Sequence, residues 1–229
     1  MFRLRITMRT LFHNPLQPQS REIRLMLKEK RLEVDLQVER PWERREAFLA
    51  MNPAGETPVM VEESGLVVCG AYPIVEYLEE TLGDISLLGG RASERAEVRR
   101  LVAWFDQKFE REVTQNLLYE KIFKRYAAAS GPDSSAIRAG KANIRTHLGY
   151  ISWLTDRRNW LAGEALSLAD LAAAAQLSAI DYIGDVPWDE FPTAKEWYVR
   201  IKSRPSFRPL LADHLPGAPP PPHYADLDF

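Results

Sequence analysis

Cysteine is nearly missing from this sequence: among 229 residues there is one, Cys69. An internal disulfide framework and any multi-cysteine zinc site are thereby excluded, and a reducing compartment fits. An excess of one charge is missing too, with Lys plus Arg at 30 against Asp plus Glu at 32 and a net charge of −2. The basic excess or stripe of a nucleic-acid binder is therefore not there. No apolar run approaches the roughly 20 residues needed to span a bilayer. The opening MFRLRITMRT carries charge without an apolar core behind it, so it does not read as a secretory signal. What is present is ordinary for a soluble globular chain, 45% hydrophobic and 27% charged. The length suits one large or two small domains. A cytoplasmic protein with neither nucleic acid nor membrane as partner is expected.

The first 80 or so residues alternate between strand-like and helix-like segments. RTLFH (9–13) is β-prone, and Asn14, Pro15 and Pro18 mark a turn after it. SREIRLMLKEK (20–30) pairs Ile23 with Leu27 on a helical face, with Ser20 as N-cap. LEVDLQVE (32–39) alternates apolar and polar residues, as in a half-buried strand, and ERREAFLAM (43–51) reads as a short helix. PVMVEE (58–63) and LVVC (66–69) read as a hairpin turning at Ser64-Gly65. A helix over 72–82 follows, with Pro73 in its first turn. The order βαβαββα implies a small mixed sheet covered by helices.

After residue 83 the strand signals stop. A linker over 84–92, with adjacent Gly89 and Gly90, leads to helices expected over 93–127, from Ser134 or Ser135 to about Arg157, over 166–182, and over 192–203. Ser93 is the expected cap of the first, whose Val98, Leu101, Val102, Phe105 and Phe109 keep helical spacing. The helix over 166–182 is rich in Ala and Leu and is expected to be buried. The predicted division is therefore 9–83, a linker 84–92, an all-α domain 93–213 and a Pro-rich tail 214–229.

Three segments have spacings that go beyond local structure. NPAGETPVM (52–60) places Pro58 at the head of a strand after a glycine loop, the setting of a cis-proline turn. LAGEALSLADLAA (161–173) holds Ser167 and Asp170 at capping-box spacing. FPTAKEWYVRIKSRP (191–205) is a helix entered at Pro192 and left at Pro205. In this order they make the chain resemble the glutathione S-transferase family over residues 9–211. The resemblance implies a thioredoxin-like α/β domain followed by an all-α domain, the fold of that family.

The family's activity is to bind glutathione on the first domain and activate its thiol. Carried over position by position, the thiolate-donor position of the Ser and Cys classes falls on Gln17. The Tyr-class strand position falls among Leu11, Phe12 and His13. The acid-Ser pair that holds the γ-glutamyl carboxylate at a helix N-terminus falls on Gly70-Ala71, and the strand-opening proline is kept as Pro58. Two polar anchors are thus replaced. Each hydrogen bond to a charged group contributes roughly 1.5–3 kcal/mol. Weak or absent glutathione binding, no cofactor and no catalytic residue are the expectation. The alternative is an active glutathione-dependent transferase or isomerase using Ser20, His13 or a backbone N–H as the thiol-stabilising group.

Cys69 reads as a structural thiol at a strand end. His13, His147, His214 and His223 lack ligand spacing, so no metal is expected, and Arg99–Arg100 and Arg157–Arg158 read as solvated surface. The tail is unusual. PGAPPPP (216–222) favours extended polyproline geometry, and HYADLDF (223–229) adds aromatics and acids. Plain disorder, or docking and packing of the end, are both open readings. With the degenerate glutathione site, the ending PPPPHYADLDF is similar to that of the GST-like division proteins of alphaproteobacteria. This resemblance implies a cytoplasmic homodimer that sits at the division site, binds polymerised FtsZ and favours curved or bundled filaments. The partner contacts expected on that basis are Tyr224, Asp226, Leu227, Asp228 and Phe229, together with Tyr119 and Glu120 on the first helix of the second domain.

Overall fold

The computed structural model describes residues 8–82, 85–127 and 131–227. The chain divides into two compact units between Ile85 and Ser86. Gly83 and Asp84, where the sequence places the domain end and the linker start, lie outside the described residues, as do Asp228 and Phe229.

In the first unit the elements run β1 (Thr10–His13), α1 (Pro18–Glu29), β2 (Asp35–Val38), α2 (Glu46–Met51), β3 (Val59–Val61), β4 (Val67–Cys69) and α3 (Ala71–Thr81). The four strands form one sheet in the order β2-β1-β3-β4. β1 pairs parallel with β2 and antiparallel with β3, and β3 pairs antiparallel with β4. The hairpin turns where Gly65 takes φ +87°, a conformation that side chains with a Cβ rarely adopt. Side chains alternate across the sheet. Phe12, Val59 and Val61 form one cluster with Phe48 of α2. The register pair Leu11 and Met60, both fully buried, alternates to the opposite face. At the far end Lys30 is buried. Its Nζ donates to the carbonyls of Leu82 (3.0 Å) and Ile85 (2.6 Å) and pairs with Glu79 (2.9 Å).

Several local expectations are corrected. β2 is short and exposed along its whole length, with Val38 58% exposed, because it is the sheet edge in this chain; alternation alone does not bury a strand. Helix α1 begins at Pro18, so Gln17 occupies the N-cap position and Ser20 lies inside the first turn. Ser20 Oγ instead accepts from the Asn14 N–H (3.2 Å) and ties the preceding turn to the helix. The 43–51 helix resolves into a 3₁₀ turn, Pro41–Glu43, and α2.

The second unit opens with one long rod. α4 (Ala92–Ala103) continues through Trp104–Phe123, wound as a π-helix, into the last turn α5 (Lys124–Ala127). Val98, Leu101, Phe105 and Phe109 are buried along it, as their spacing predicts. Its cap is Arg91 with Glu94, not Ser93, because Glu94 Oε2 accepts from the N–H groups of Gly90 and Arg91. α6 (Ser134–Thr155) is capped by Asp133, one residue before the expected serines, whose Oδ1 accepts from Ser135 N–H at 2.7 Å. α6 lies close on the rod at Gly140, where an added Cβ would fall 2.7 Å from Leu117 Cγ. α7 (Leu168–Tyr182) is buried at every residue, and α8 (Pro192–Lys202) and α9 (Arg208–Leu211) complete the unit. No helix among the described residues is long and apolar enough to cross a membrane.

Candidate functional site

The first candidate site lies in the α/β unit, where a turn and two helix starts bring together Gln17, Thr57-Pro58 and Gly70-Ala71. The Thr57–Pro58 peptide is cis, as the glycine loop and strand-opening proline suggested. Gln17 stands where a thiolate donor was sought, but its Oε1 is occupied: Thr57 Oγ1 and Ser20 Oγ (3.0 Å) both donate to it. Gln17 therefore joins α1 to the cis-proline turn. Ser20, fully buried, uses its hydroxyl as acceptor for Asn14 and donor to Gln17. His13 is 3% exposed. Both side chains are buried.

The expected carboxylate end is the start of α3. Gly70 holds the N-cap position of α3 at φ +88° without a side-chain cap, and its N–H donates to Pro58 O at 2.9 Å. Ala71 follows as the first helical residue. The partial positive charge of the helix start remains, while Gly70 and Ala71 themselves carry neither a hydroxyl nor a carboxylate. Cys69 is half-buried, burial pushes its thiol pKa up, and it has the character of a packing residue. Among the described residues no cluster of three metal-ligating side chains occurs.

The second candidate site is the docked tail on the helical unit. The Pro-rich segment is held on both sides. Tyr182 OH donates to Ala218 O (2.9 Å) and accepts from Leu215 N–H (2.8 Å). Tyr224 is fully buried, its ring edge-on to Tyr182 at 5.2 Å and its OH donating to Leu210 O (3.1 Å). Beneath it lies Asp181, the next-to-last residue of α7 and itself fully buried. Asp181 accepts from Trp188 Nε1 (2.8 Å), His223 Nε2 (3.2 Å) and Tyr198 OH (3.4 Å). Lys202 Nζ, also buried, stands 3.8 Å from Asp181 and donates to His223 O at 3.3 Å. Burial pushes the Asp181 carboxyl up. It also pulls the Lys202 ammonium down to about 8, against the attraction of Asp181 and Asp226.

This placement changes the role of Tyr224. The sequence offers it as a partner contact; its full burial makes it the anchor that holds the tail. Asp226 is exposed and Leu227 half-exposed. On the rod, Tyr119 is half-buried, and Glu120 Oε2 accepts from Lys124 Nζ and from Asp133 N–H, each at 2.7 Å. Those bonds hold the Glu120 carboxyl below its usual range and join the rod to the start of α6. Sequence reading missed Asp181, Lys202 and Tyr182. Only the apolar character of α7 hinted at them, since a buried helix ending in Asp-Tyr must satisfy both polar groups from elsewhere in the chain.

Comparison with known proteins agrees with this architecture. Residues 18–81 match the glutathione S-transferase N-terminal domain and residues 138–205 the glutathione S-transferase C-terminal domain. FtsZ-localized protein A of Caulobacter vibrioides is 53% identical over 225 residues, covering 96% of this chain and 98% of that protein. The solved structure of FzlA from C. crescentus has a TM-score of 0.94 at 52% identity, over 97% of this chain and 100% of that one. A solved structure described as a glutathione S-transferase from Rhodospirillum rubrum F11 has a TM-score of 0.95 at 58% identity, over the same shares of the two chains.

Proposed function

The chain belongs to the glutathione S-transferase family, and from that premise we propose that it is a non-catalytic adaptor that binds FtsZ filaments during cell constriction. The observation that carries this reading is the near full-length likeness to FtsZ-localized protein A. The reduced glutathione site supports it. A thiolate donor is replaced by Gln17, whose acceptor oxygen is already used, and the carboxylate-binding pair by Gly70-Ala71. Loss of one such anchor weakens binding about ten- to a hundredfold, since each 1.4 kcal/mol is tenfold. Glutathione is then a weak ligand or none.

The tail supplies the partner contact in this proposal. Tyr224 and His223 fix the segment, and the acidic, apolar end of Asp226, Leu227, Asp228 and Phe229 meets the filament, with Tyr119 and Glu120 contributing from the rod. The adaptor works as a homodimer in the cytoplasm at the division site. A two-fold dimer doubles each contact surface. Two linked contacts on neighbouring filaments raise apparent affinity by avidity, which favours bundling or curvature.

The test is cosedimentation with FtsZ and GTP, comparing the full chain with a chain ending at Ala225. That truncation removes the proposed tail contacts and leaves the Tyr224 anchor in place. Pelleting of the full chain and its loss on truncation is the expected result. Firm retention of the protein on glutathione resin, with turnover of an electrophile and no pelleting, would return the protein to the catalytic branch of its family.

A further inference from the structure

The docked tail creates a surface that neither the glutathione site nor the tail's own end uses. A groove of about 360 Å³ runs between the tail residues Pro219–Pro221 and the body residues Ile122 and Ile183, with Lys121 at its edge. Its proline side is apolar, without N–H donors and stiff before anything binds, so little ordering entropy is lost there on docking. Beside it lies a shallower depression of about 200 Å³ bounded by Lys141, Arg145 and Asp185. The Lys121–Asp185 ion pair links the two. Asp185 Oδ2 accepts from Lys121 Nζ, and its Oδ1 lies 3.4 Å from Lys141 Nζ. Arg145 is already paired through Nε and Nη2 with Glu190, and its Nη1 donates to Lys141 O. The Asp185 side chain is 5% exposed, whereas that of Lys141 is 52% exposed. One nearly buried carboxylate thus serves two ammonium groups, each with three donors, and a positive charge is left over at the edge of an apolar groove.

We propose that the Pro219–Pro221 groove and the Lys121–Lys141 pair form a docking site for an acidic peptide carrying one large apolar side chain. The apolar side chain enters the groove against the prolines, and the carboxylate lies between the two ammonium groups. Charge complementarity selects this occupant: a basic peptide would meet surplus positive charge, and a purely apolar one would leave the lysines unanswered. The inference rests on the FtsZ reading and deepens it, naming an acidic, apolar segment of FtsZ as the occupant. The site exists only while the tail is held by Tyr182, Asp181 and Tyr224, because the tail is one of its sides.

The experiment is a pelleting titration of the full-length protein against GTP-polymerised FtsZ. It compares wild type with K141E, K121M/K141M and D185N, with hydrogen exchange of residues 215–227 recorded for each. Close charge pairs at interfaces couple strongly, so K121M/K141M is expected to bind about tenfold more weakly and K141E several-fold more weakly. D185N is expected to bind about threefold more tightly, because it frees both ammonium groups for the ligand. Wild-type binding should fall as salt rises. A purely structural ion triad predicts the opposite sign for D185N. Weaker binding by D185N with an undisturbed tail, or unchanged binding by K121M/K141M and K141E while wild type pellets, overturns the groove and leaves the FtsZ reading standing. Failure of the wild type to pellet with normally polymerised FtsZ overturns both.

Discussion

The two ends of α7 each bury an aspartate, and the two aspartates do different work. Asp170, at the N-terminal end, accepts four bonds within hydrogen-bonding distance: from Leu161 N–H, Ser167 N–H, Ser167 Oγ and Trp197 Nε1, at 2.9–3.0 Å. All four donors are neutral, and three of them lie within nine residues of Asp170 along the chain. Asp181, at the C-terminal end, meets an ammonium and an imidazole that come from 21 and 42 residues away. The first carboxylate closes a local motif and starts a helix. The second fastens one segment of chain to another. Burial pushes both carboxyls up, so both cost free energy to keep ionised. That cost is tolerable at Asp170 because the donors are fixed in a capping box. At Asp181 it is offset by Trp188 and Lys202 of the body and, while the tail is in place, by His223 as well.

This contrast can be broken experimentally, and the largest effect is expected at the local end. Asp170→Ala strands several buried donors, each costing about 1–3 kcal/mol, and should destabilise the whole unit by about 3–5 kcal/mol. Urea unfolding checks it, and a loss under 1 kcal/mol would mean the box is ornamental.

The Asp181 end should respond to alkaline pH. Lys202 titrates at about 8 in the folded protein against about 10.4 in an unfolded chain. Between those values the unfolded state binds more protons, so stability rises with pH, by up to about 3 kcal/mol over the window. Below pH 8 the buried ammonium exerts its full penalty. Lys202→Met should remove this slope relative to wild type, and identical slopes for the two proteins would refute the assignment.

Asp181→Asn sharpens the comparison further. Its single acceptor oxygen cannot replace both carboxylate oxygens, and hydrogen bonds to charged groups contribute about 1.5–3 kcal/mol. Faster hydrogen exchange confined to residues 215–227 is expected. Uniformly faster exchange across α7 would show that Asp181 supports the core rather than the tail.

The smallest expected effect lies in the α/β unit. Ala71→Ser restores a hydroxyl at the start of α3 and should tighten glutathione binding by about tenfold, the low end of the roughly 1.5–3 kcal/mol that a hydrogen bond to a charged group contributes. Calorimetry that finds tight glutathione binding already in the unmodified protein would contradict the loss of the carboxylate anchor.

Much of this molecule was legible beforehand wherever the signal is carried by near neighbours. The βαβαββα order, the hairpin at Ser64-Gly65, the cis proline at Pro58 and the Ser167–Asp170 box follow from turn residues and short spacings. That Gln17, Gly70 and Ala71 stand where the family keeps polar anchors is what the family resemblance implies. Cap identities differ at Ser20, at Ser93 and at Ser134 or Ser135 because several polar residues compete within one turn, and backbone geometry chooses among them. β2 was misjudged because alternation reports a preference for a half-buried face, while burial depends on what the rest of the chain lays over the strand.

The sequence by itself therefore determined the element order and the capping box. Only the tertiary structure decided which way Tyr224 faces, that Asp181 and Lys202 hold His223, and that a proline segment becomes one side of a groove. The physical reason is range. Caps, turns and hydrophobic periodicity act over a few residues and leave a local trace in the chain. A buried ion pair and a docked tail join residues tens of positions apart, and they form only after the helices have closed around them and removed the water.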